Sequence, residues 1–406
     1  MVRVDTEVII VGGGLVGLTL AGLLGRNGVE CMVIDGGSVP GQKNSPDPRA
    51  LAITIATSNI LKKLGVWERL PRERTGHFRR MLVWDENGSG RVSFDCTELR
   101  QNTLGYIIEQ SVLQNALFEF IRHFPSITIK YEETIRNLAW EENRIMVFPS
   151  SNDRGLGAKL LVAADGFNSL TRELAGIDYL IHDYRQSAVA AIVHTEFPHE
   201  DVARQRFLST GPLAFLPMPV PDRCGIVWST LPEHAMQLAQ MKEDEFNLNL
   251  GNAFDNTLGR ILGSEPRAVF PLKRARADHY CRDRLVLAGD AAHSIHPLAG
   301  QGANLGLLDA ACLAQVVLEA RGKEKDIGSH GVLRKYERWR KGDNEIMMMV
   351  MDGFKYMFER QVKPLPMLRN TGMTLVDACL PAKHWIMRRA MGLTGDLPDA
   401  ARALRG

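Results

Sequence analysis

Apolar runs and helical periodicity alternate in the first part of the chain. Residues 7–11 (EVIIV) form an apolar run that ends on glycines, residues 15–25 continue as a helix, and residues 31–35 (CMVID) form a second run. Two apolar runs with a helix between them are typical of parallel strands joined by a crossover. The pattern therefore predicts a β–α–β unit at the N-terminus.

Shorter elements continue this pattern as far as residue 164. We expect a loop over residues 40–48, which contain four Pro or Gly residues and show no periodicity. The stretch Asn87-Gly88-Ser89-Gly90 lies between two apolar segments and predicts a hairpin. The predicted helices are about 57–64 and 109–124, and the predicted strands are 81–84, 91–94, 128–131, 145–149 and 159–164.

Strand-like segments with short turns dominate from about residue 186 to residue 275. They indicate an antiparallel sheet, with one helix near 243–254, inserted into the first domain. The predicted strands here are 186–197, 212–217, 224–230 and 267–273. A buried strand at 284–288 and a long apolar helix from about 303 to 320 follow, and residues 329–406 are mostly helical by pattern.

The expected fold class is α/β (α+β overall), with a Rossmann-like domain, an inserted and mainly antiparallel β-sheet domain, and a helical C-terminus. The expected boundaries are 1–75, 101–180 and 276–328 for the Rossmann-like domain, 76–100 and 181–275 for the sheet domain, and 329–406 for the C-terminal helical region.

Composition narrows the function classes. A chain of 406 residues is too long for one small hydrophobic core. Its content of 45% apolar and 24% charged residues is typical of a globular protein. A net charge of +2 gives no field that favours nucleic acid, so we expect no nucleic-acid partner. The six cysteines never form CxxC, which favours reduced thiols in the cytoplasm, and we expect neither a signal peptide nor a membrane-spanning segment. His293 and His296 lie three residues apart without a third ligand at matching spacing, so we expect no metal site.

The first glycine-bearing segment is a GxGxxG motif at Gly12, Gly14 and Gly17, with Leu15 and Val16 inside it. The glycines allow a tight turn, close approach of a pyrophosphate and close packing of helix on strand. The helix N-terminus presents free N–H groups to phosphate. Asp35 ends the second strand 18 residues after Gly17, where a carboxylate can bind an adenosine ribose. This segment predicts a dinucleotide site and leaves FAD and NAD unresolved.

The second segment joins Asp165 and Gly166 between a strand and a helix. Taken alone, an ordinary Asp-Gly turn with a helix cap is the favoured interpretation.

The third segment begins with Gly289 and Asp290 after a buried strand. A carboxylate in that position can hold a polyol chain. Gly300 and Gly302 then open a new helix, whose N–H groups can face the negative charge of a reduced flavin. The residues of this turn are Gly300, Gln301, Gly302, Ala303 and Asn304.

Together, these segments resemble the class A flavoprotein monooxygenases, which have the fold of para-hydroxybenzoate hydroxylase, over nearly the whole chain. The resemblance implies that the GxGxxG segment and Asp35 bind the ADP half of FAD and that Gly289 and Asp290 hold the ribityl chain. It associates Asp165 and Gly166 with FAD and with NAD(P)H. It also implies flavin contacts for Arg49, Gln110 and Pro297. For Arg49 a solvated loop cation is the alternative, and for Gln110 an exposed helix-cap residue is nearly as plausible.

Within that class, the segments 296–309 (HPLAGQGANLGLLD) and 47–52 (DPRALA) are similar to the ubiquinone-biosynthesis hydroxylases. Residues 389–393 (RAMGL) and 396–398 (DLP) are most similar to the bacterial polyprenylphenol hydroxylase that acts at ring C5. The sister C6 and C1 hydroxylases share the other motifs. The chain departs from the family at Ala303, where a larger apolar residue is expected, and at Asp35, where many relatives carry glutamate.

The chemistry that the resemblance implies is reduction of FAD by NAD(P)H or another donor, then reaction with O2 to a flavin C4a-hydroperoxide that hydroxylates an electron-rich phenol. The expected substrate is a lipophilic polyprenylphenol of ubiquinone biosynthesis. The protein then positions the ring and excludes water, and we assign no catalytic residue. The alternatives are another ring position, a soluble phenol, a flavin reductase or dehydrogenase, and a flavin-bearing scaffold subunit.

Residues of the sheet domain are the candidates to bind the substrate ring. The candidates to line an apolar pocket are Phe215, Leu216, Pro217, Met218 and Trp228. Plain sheet core is an interpretation at least as plausible for each of them.

The C-terminal region is apolar and basic. Residues 345–358 are rich in methionine and aromatics, and from Arg360 to Gly406 eight Lys or Arg residues face three Asp or Glu residues. Such a region is typical of contact with the inner face of a membrane or with other ubiquinone-biosynthesis proteins. A helical cap with a solvated basic face is equally plausible. Oligomerisation stays open.

Overall fold

The computed structural model describes residues 5–41, 48–86, 88, 90–151, 153–295, 300–359 and 365–403. The strands in chain order are β1 (Thr6–Val11), β2 (Cys31–Ile34), β3 (Ala50–Ile53), β4 (Thr75–Phe78), β5 (Arg80–Asp85), β6 (Arg91–Asp95), β7 (Gly105–Glu109), β8 (Ile127–Lys130), β9 (Ile135–Trp140), β10 (Ile145–Pro149), β11 (Leu156–Ala163), β12 (Tyr179–Thr195), β13 (Val202–Leu208), β14 (Gly211–Pro217), β15 (Arg223–Thr230), β16 (Ile261–Ser264), β17 (Ala268–Ala277), β18 (Cys281–Arg282), β19 (Leu285–Leu287) and β20 (His293–Ser294).

The helices in chain order are α1 (Leu15–Gly25), α2 (Ile55–Leu64), α3 (Gln110–Ile121), α4 (Leu170–Leu174), α5 (Pro232–Gln240), α6 (Glu243–Ala253), α7 (Gln301–Gly322), α8 (His330–Glu359), α9 (Leu365–Ala378) and α10 (Leu380–Ala390).

The first sheet has a parallel centre, in the order β19-β11-β1-β2-β8. Val8 lies opposite Leu160 on one side and Cys31 on the other. Val8, Ile9 and Ile10 are fully buried, as is typical of the central strand of a parallel sheet. This arrangement confirms the predicted β–α–β unit. The antiparallel pair β9 and β10 extends the sheet from β11.

The second sheet is mainly antiparallel and has the order β20-β17-β12-β15-β14-β13-β5-β6, with β16 beside β12. Strand β12 begins at Tyr179, earlier than the alternation predicts, because its first residues pair only with the end of β17. The hairpin of β5 and β6 joins this sheet through a parallel pairing of β5 with β13. The sheet is thus built from three separate parts of the chain, namely β5 and β6, β12 to β17, and β20.

A third, small sheet orders β3-β7-β4 and lies between the two larger sheets. Sequence analysis did not predict its strands, which are only four or five residues long. Its alanines allow close packing: a Cβ built on Gly225 of the second sheet would lie 2.5 Å from the Cβ of Ala50. The small sheet therefore brings residues 50–53 onto the second sheet, while residues 42–47 of the predicted loop lie outside the described residues.

Helix α7 belongs to the core, where it packs on α1 and α8. It is the one helix among the described residues that is long and apolar enough to cross a membrane, contrary to the expectation that no segment would be. About 72% of its most apolar window is buried inside the protein, as in the core helix of a globular domain. The C-terminal region is helical as predicted, and α9 packs on β6.

Candidate functional site

The first glycine turn depends on two close approaches. Gly12 has φ +112°, and a Cβ there would lie 2.2 Å from the carbonyl oxygen of Ala164. A Cβ on Gly17 would lie 1.9 Å from the carbonyl oxygen of Gly12. These two glycines are therefore required by the packing of α1 on β1 and β11.

Gly14 differs from the other two glycines because a Cβ there would meet no protein atom within 4 Å. Gly14 caps α1 with extended backbone, so the N–H groups of Leu15 and Val16 begin the helix next to this open space. The absence of a side chain at Gly14 thus leaves open space at the helix start, which is the arrangement by which a glycine can admit a phosphate.

Asp35 lies beside this turn at the end of β2. Its Oδ2 accepts a hydrogen bond from Gly13 N–H at 2.6 Å, and its Oδ1 accepts one from Gly37 N–H at 2.7 Å. The Gly13 carbonyl accepts hydrogen bonds from Tyr131 and Gln114. Burial, with the nearby Asp35 carboxylate, raises the pKa of Tyr131, which keeps its hydroxyl a donor. Asp35 is therefore held in place by its own turn and stays half-buried at the mouth of the site.

Asp165 turns its carboxylate into the start of α4. One oxygen accepts from Ser169 Oγ at 2.5 Å, and the other accepts from the N–H of Thr171 at 3.0 Å and from its hydroxyl at 2.8 Å. Gly166 has φ +82° and completes the turn. In this structure Asp165 organises the turn, and the segment connects to the site through Arg172.

Arg172 joins the second segment to the third. Its guanidinium donates to the carbonyl oxygen of Ala291 at 3.1 Å and stacks 3.6 Å from the ring centre of Tyr179. The Tyr179 hydroxyl donates to the carbonyl oxygen of Asp290 at 2.7 Å. Burial lowers the pKa of Arg172, although nearby acids oppose that shift. The backbone that carries Asp290 is thus fixed from the side of the Asp165–Gly166 turn.

Asp290 itself points away from these anchors. Its side chain is exposed, while Gly289 and Ala291 on either side are buried. The surrounding protein still raises the pKa of the Asp290 carboxyl, with His293 opposing that shift. The Asp290 carboxyl is therefore accessible and can accept hydrogen bonds from a ligand.

The first and third segments meet at Val16. A Cβ built on Gly289 would lie 3.0 Å from Val16 Cγ2, and one on Gly306 would lie 2.7 Å from the same atom. The start of α1, the Gly289–Ala291 turn and the second turn of α7 are therefore in direct contact. Glycine at positions 289 and 306 makes that contact sterically possible.

The start of α7 is attached to the small sheet. Gly300 caps the helix with φ +60°, and Gln301, Gly302 and Ala303 form its first turn. Asn304 Oδ1 accepts from Thr54 N–H at 3.0 Å, and its Nδ2 donates to the carbonyl oxygens of Ala52 at 2.7 Å and Gly300 at 3.0 Å. Asn304 thus aims the helix start by contacts within the protein.

Arg49 and Gln110 lie together at the edge of the small sheet. Gln110 is the first residue of α3, and its N–H donates to the carbonyl oxygen of Arg49 at 3.0 Å. The exposed Arg49 guanidinium lies 5.7 Å from the ring centre of Phe270 on the second sheet. Pro297 and His296 lie outside the described residues.

The two faces of the second sheet differ in how completely they are covered. Leu213, Phe215 and Trp228 lie in a buried cluster with α5 and α6. For Phe215 and Trp228 the plain-core interpretation therefore holds, and they are not on the side of the small sheet. Leu216 and Met218 instead pack with Ala50 and Ala52.

Alternation along the strands places Ala214 and Val227 on the same face as Leu216. Both are only half-buried, although they lie in central strands of the sheet. Incomplete cover of a central, apolar face indicates a cavity there. Ala52 packs with Leu216 on this face and also lies next to Gly300, since a Cβ on Gly300 would lie 3.2 Å from the Ala52 Cβ.

A buried polar network, which the sequence patterns do not predict, contacts the turn that carries Asp290. Asp309 on α7 is fully buried and accepts hydrogen bonds from Gly289 N–H and Arg340 Nε, at 3.1 Å and 2.7 Å. His293 Nε2 lies 2.5 Å from Asp309 Oδ2. Burial acts to raise the pKa of Asp309, but His293 and Arg340 lower it below the ordinary value. The sequence signal for this network is the presence of Asp309 among the apolar core residues of α7.

A model of the FAD binding domain family matches residues 5–345. The chain belongs to this family. The 3-demethoxyubiquinol 3-hydroxylase of Escherichia coli K12 is 35% identical over 395 residues, covering 97% of this chain and 100% of the relative. The ubiquinone hydroxylase UbiL of Rhodospirillum rubrum is 33% identical over 401 residues, covering 98% and 92%.

The fold has close solved neighbours as well. The p-nitrophenol 4-monooxygenase PnpA of Pseudomonas putida DLL-E4 superimposes with a TM-score of 0.78 at 23% identity, covering 96% of this chain and 98% of that one. The expected fold class is therefore confirmed. The family and the relatives also confirm the prediction of a class A, FAD-dependent flavoprotein monooxygenase.

Proposed function

We propose that this flavoprotein hydroxylates the aromatic ring of a polyprenylphenol intermediate in ubiquinone biosynthesis, at ring C5. The observation that carries the proposal is the contact of Val16 with Gly289 and Gly306, which unites the glycine turn of α1 with the Asp290 segment and the start of α7. A cofactor that spans a phosphate turn, a carboxylate and a second helix start must be long, as a flavin dinucleotide is.

The described residues fit FAD on their own geometry. The open space beside Gly14 admits the pyrophosphate at the start of α1, and Asp35 on the rim reaches the adenosine ribose. The exposed carboxyl of Asp290 accepts hydrogen bonds from the ribityl hydroxyls. Gly300 and the first turn of α7, from Gln301 to Asn304, would lie at the flavin ring, with Arg49 directly before β3 and Gln110 at the start of α3. Pro297 is proposed beside the ring from the family motif alone.

FAD held by these residues would supply the redox chemistry: with two electrons from NAD(P)H it would activate O2, one oxygen atom of which would go to the phenol and the other to water. The chain contributes position and exclusion of water. The free N–H groups at the start of α7 stabilise negative charge at the flavin ring edge, as a helix N-terminus does for any anion. The half-buried face with Ala214 and Val227 holds the phenol against the ring.

The surfaces around this cavity favour a lipophilic substrate. Met348 of α8 packs with Ile295 and Leu305, next to the start of α7, and Met351 packs with Phe207 of the second sheet. Methionine side chains adapt to irregular apolar ligands because they are unbranched and flexible. The methionine side chains of α8 could therefore contact a prenyl chain that extends from the cavity between α8 and the second sheet.

Assignment to ubiquinone biosynthesis is supported by the names of the two relatives, a hydroxylase of demethoxyubiquinol and a ubiquinone hydroxylase. The choice of C5 rests on the C-terminal motifs at 389–393 and 396–398. In the structure, Gly392 of that motif has φ +69°, and a Cβ there would lie 2.6 Å from Ala56 of α2. The motif thus attaches the C-terminus to the FAD-binding part of the chain.

We also propose that the protein works in the cytoplasm at the inner face of the membrane, together with other enzymes of the pathway. Exposed apolar side chains on the C-terminal helices support this location, namely Ile346, Met349, Val350, Leu375, Leu380 and Trp385. Basic residues such as Arg388 on α10 accompany them. Co-sedimentation with anionic vesicles, and its loss in Trp385→Glu, tests this proposal.

Two experiments test the function. The purified holoenzyme, given NAD(P)H, O2 and a prenylated phenol, should release a hydroxylated ring; release of peroxide without product would instead favour an oxidase or a scaffold subunit. Cells that lack the protein should accumulate the intermediate unsubstituted at C5. Accumulation of an intermediate that already carries that hydroxyl would refute the ring position while leaving the monooxygenase assignment intact.

A further inference from the structure

A buried network links the turn that carries Asp290 to helix α8. The Asp309 carboxylate accepts from Gly289 N–H at 3.1 Å and lies 2.5 Å from His293 Nε2. Gly289 precedes Asp290 and His293 follows it by three residues, so one carboxylate holds both ends of the turn. These two contacts therefore hold the backbone of the turn that carries Asp290.

The other side of the same carboxylate holds α8. Asp309 Oδ1 accepts from Arg340 Nε at 2.7 Å and from Asn344 Nδ2 at 3.3 Å, and Arg340 also donates to Asn344 Oδ1 at 2.8 Å. Asp309, Arg340 and Asn344 are at most 2% exposed. Ions this deeply buried are costly unless every partner is in place, so the network has one favourable arrangement.

Helix α8 extends from this network towards the cavity. Met348 and Met351 follow Asn344 at spacings of four and seven residues, on the same face of the helix. Met348 packs on Ile295 and Leu305, and Met351 packs on the second sheet. The segment of α8 that borders the cavity therefore follows directly after the residues that hydrogen-bond to Asp309.

We propose that His293, Asp309 and Arg340 are positioning residues that couple occupancy of the flavin site to the placement of α8 over the substrate cavity. The proposal rests on the proposed function for the identity of the cavity, but the coupling itself concerns only the flavin site and the helix. FAD would hydrogen-bond to Asp290, and Asp309 holds the turn that carries Asp290. Binding of the cofactor therefore restrains α8, and weaker packing of α8 weakens cofactor binding.

His293→Ala removes one contact and leaves the Asp309–Arg340 ion pair, so the protein should still fold. We expect FAD release from the diluted holoenzyme, followed by flavin fluorescence, to become faster by on the order of tenfold. Hydrogen–deuterium exchange in peptides over 340–351 should rise in the same holoenzyme. His293→Gln, whose amide can donate to Asp309, should restore both quantities most of the way.

Arg340→Lys tests the coupling from the other end. It keeps the charge beside Asp309 but loses the fork that also reaches Asn344. Faster FAD release in this variant, from a site that Arg340 does not border, supports the coupling. Unchanged FAD release in Arg340→Lys, or in His293→Ala, would overturn it.

Asp326→Asn is the matched control, because Asp326 also pairs with a buried arginine, Arg284, at 2.6 Å. It should lower the melting temperature without altering FAD release or exchange in α8. Equal acceleration of FAD release in this control would assign the effect to general destabilisation and overturn the proposal. None of these readouts uses a substrate, so failure of the proposed hydroxylation would leave this test intact.

Discussion

Asp35 accepts a hydrogen bond from the backbone N–H of Gly13 at 2.6 Å. The acid at the end of β2 and the glycine turn at the end of β1 are therefore one unit, set before any ligand binds. The other Asp35 oxygen accepts from Gly37 N–H, which fixes the direction of the carboxylate. Such preorganisation reduces the entropy that a bound ribose would otherwise cost.

Gly14→Ala and Gly17→Ala should separate ligand binding from folding. A Cβ at Gly14 meets no protein atom within 4 Å, so this variant should fold with a nearly unchanged melting temperature and lose FAD affinity. A Cβ at Gly17 would lie 1.9 Å from Gly12 O, so that variant should lose stability as well. Thermal unfolding of the FAD-free proteins and FAD titration distinguish the two cases. Normal FAD affinity in Gly14→Ala would contradict the pyrophosphate assignment.

Asp290→Ala should weaken FAD retention. The Asp290 side chain is exposed, so its loss removes little from the protein itself, whereas the ribityl hydroxyls lose a charged acceptor worth about 1.5–3 kcal/mol. Flavin content after gel filtration measures the effect. Asp290→Asn, which keeps an acceptor, should retain more flavin than Asp290→Ala. Full flavin content in Asp290→Ala would exclude the ribityl role.

Asp165→Ala should act first on stability. Its carboxylate accepts three hydrogen bonds from Ser169 and Thr171, so the start of α4 loses its organisation, at a cost of about 1–2 kcal/mol. Denaturant unfolding with and without FAD measures this. Loss of flavin without loss of stability would instead assign Asp165 a direct cofactor contact.

Ala214→Phe should block the substrate cavity. Ala214 is half-buried on the face proposed to hold the phenol, and a phenyl ring would occupy that space. We expect the variant to keep its flavin absorbance and NAD(P)H oxidation but to lose hydroxylated product. Ala139→Phe, at a half-buried alanine of β9 in the other sheet, is the control and should retain product formation. Product formation by Ala214→Phe at the normal rate would place the substrate elsewhere.

Asp309→Asn should destabilise the protein at neutral pH by about 3–5 kcal/mol, because Arg340 loses its buried partner. The Asp309 pKa lies below the unfolded value of 3.8, so its contribution is complete above that pH and is lost as the pH falls through the folded pKa. The stability difference between wild type and variant should therefore be constant from pH 7 to about 5 and shrink below pH 4. Denaturant unfolding at each pH measures it, and a difference that grows towards acid would contradict the assignment.

Local signals in the sequence are enough to predict the dinucleotide fold. Gly12, Gly17 and Asp35 were readable because their roles are local: a tight turn, a close helix and an acid one strand away. The third segment was readable for the same reason, since the strand before Gly289 and the helix after Gly300 are adjacent in sequence. The mainly antiparallel second sheet and the C-terminal helices also followed from periodicity.

The faces and the packing partners of these elements are set by long-range contacts in the folded chain. Trp228 and Phe215 have the same alternation whichever face of the sheet looks towards the flavin site, and the packing of α5 and α6 settled that they lie on the opposite face. The small sheet escaped prediction because strands of four or five residues carry too little periodicity. Asp309 and Arg340 are 31 residues apart on two helices, and no local pattern pairs them. The two charged side chains become partners only when α7 and α8 pack together and bury them. That packing exists only in the folded chain.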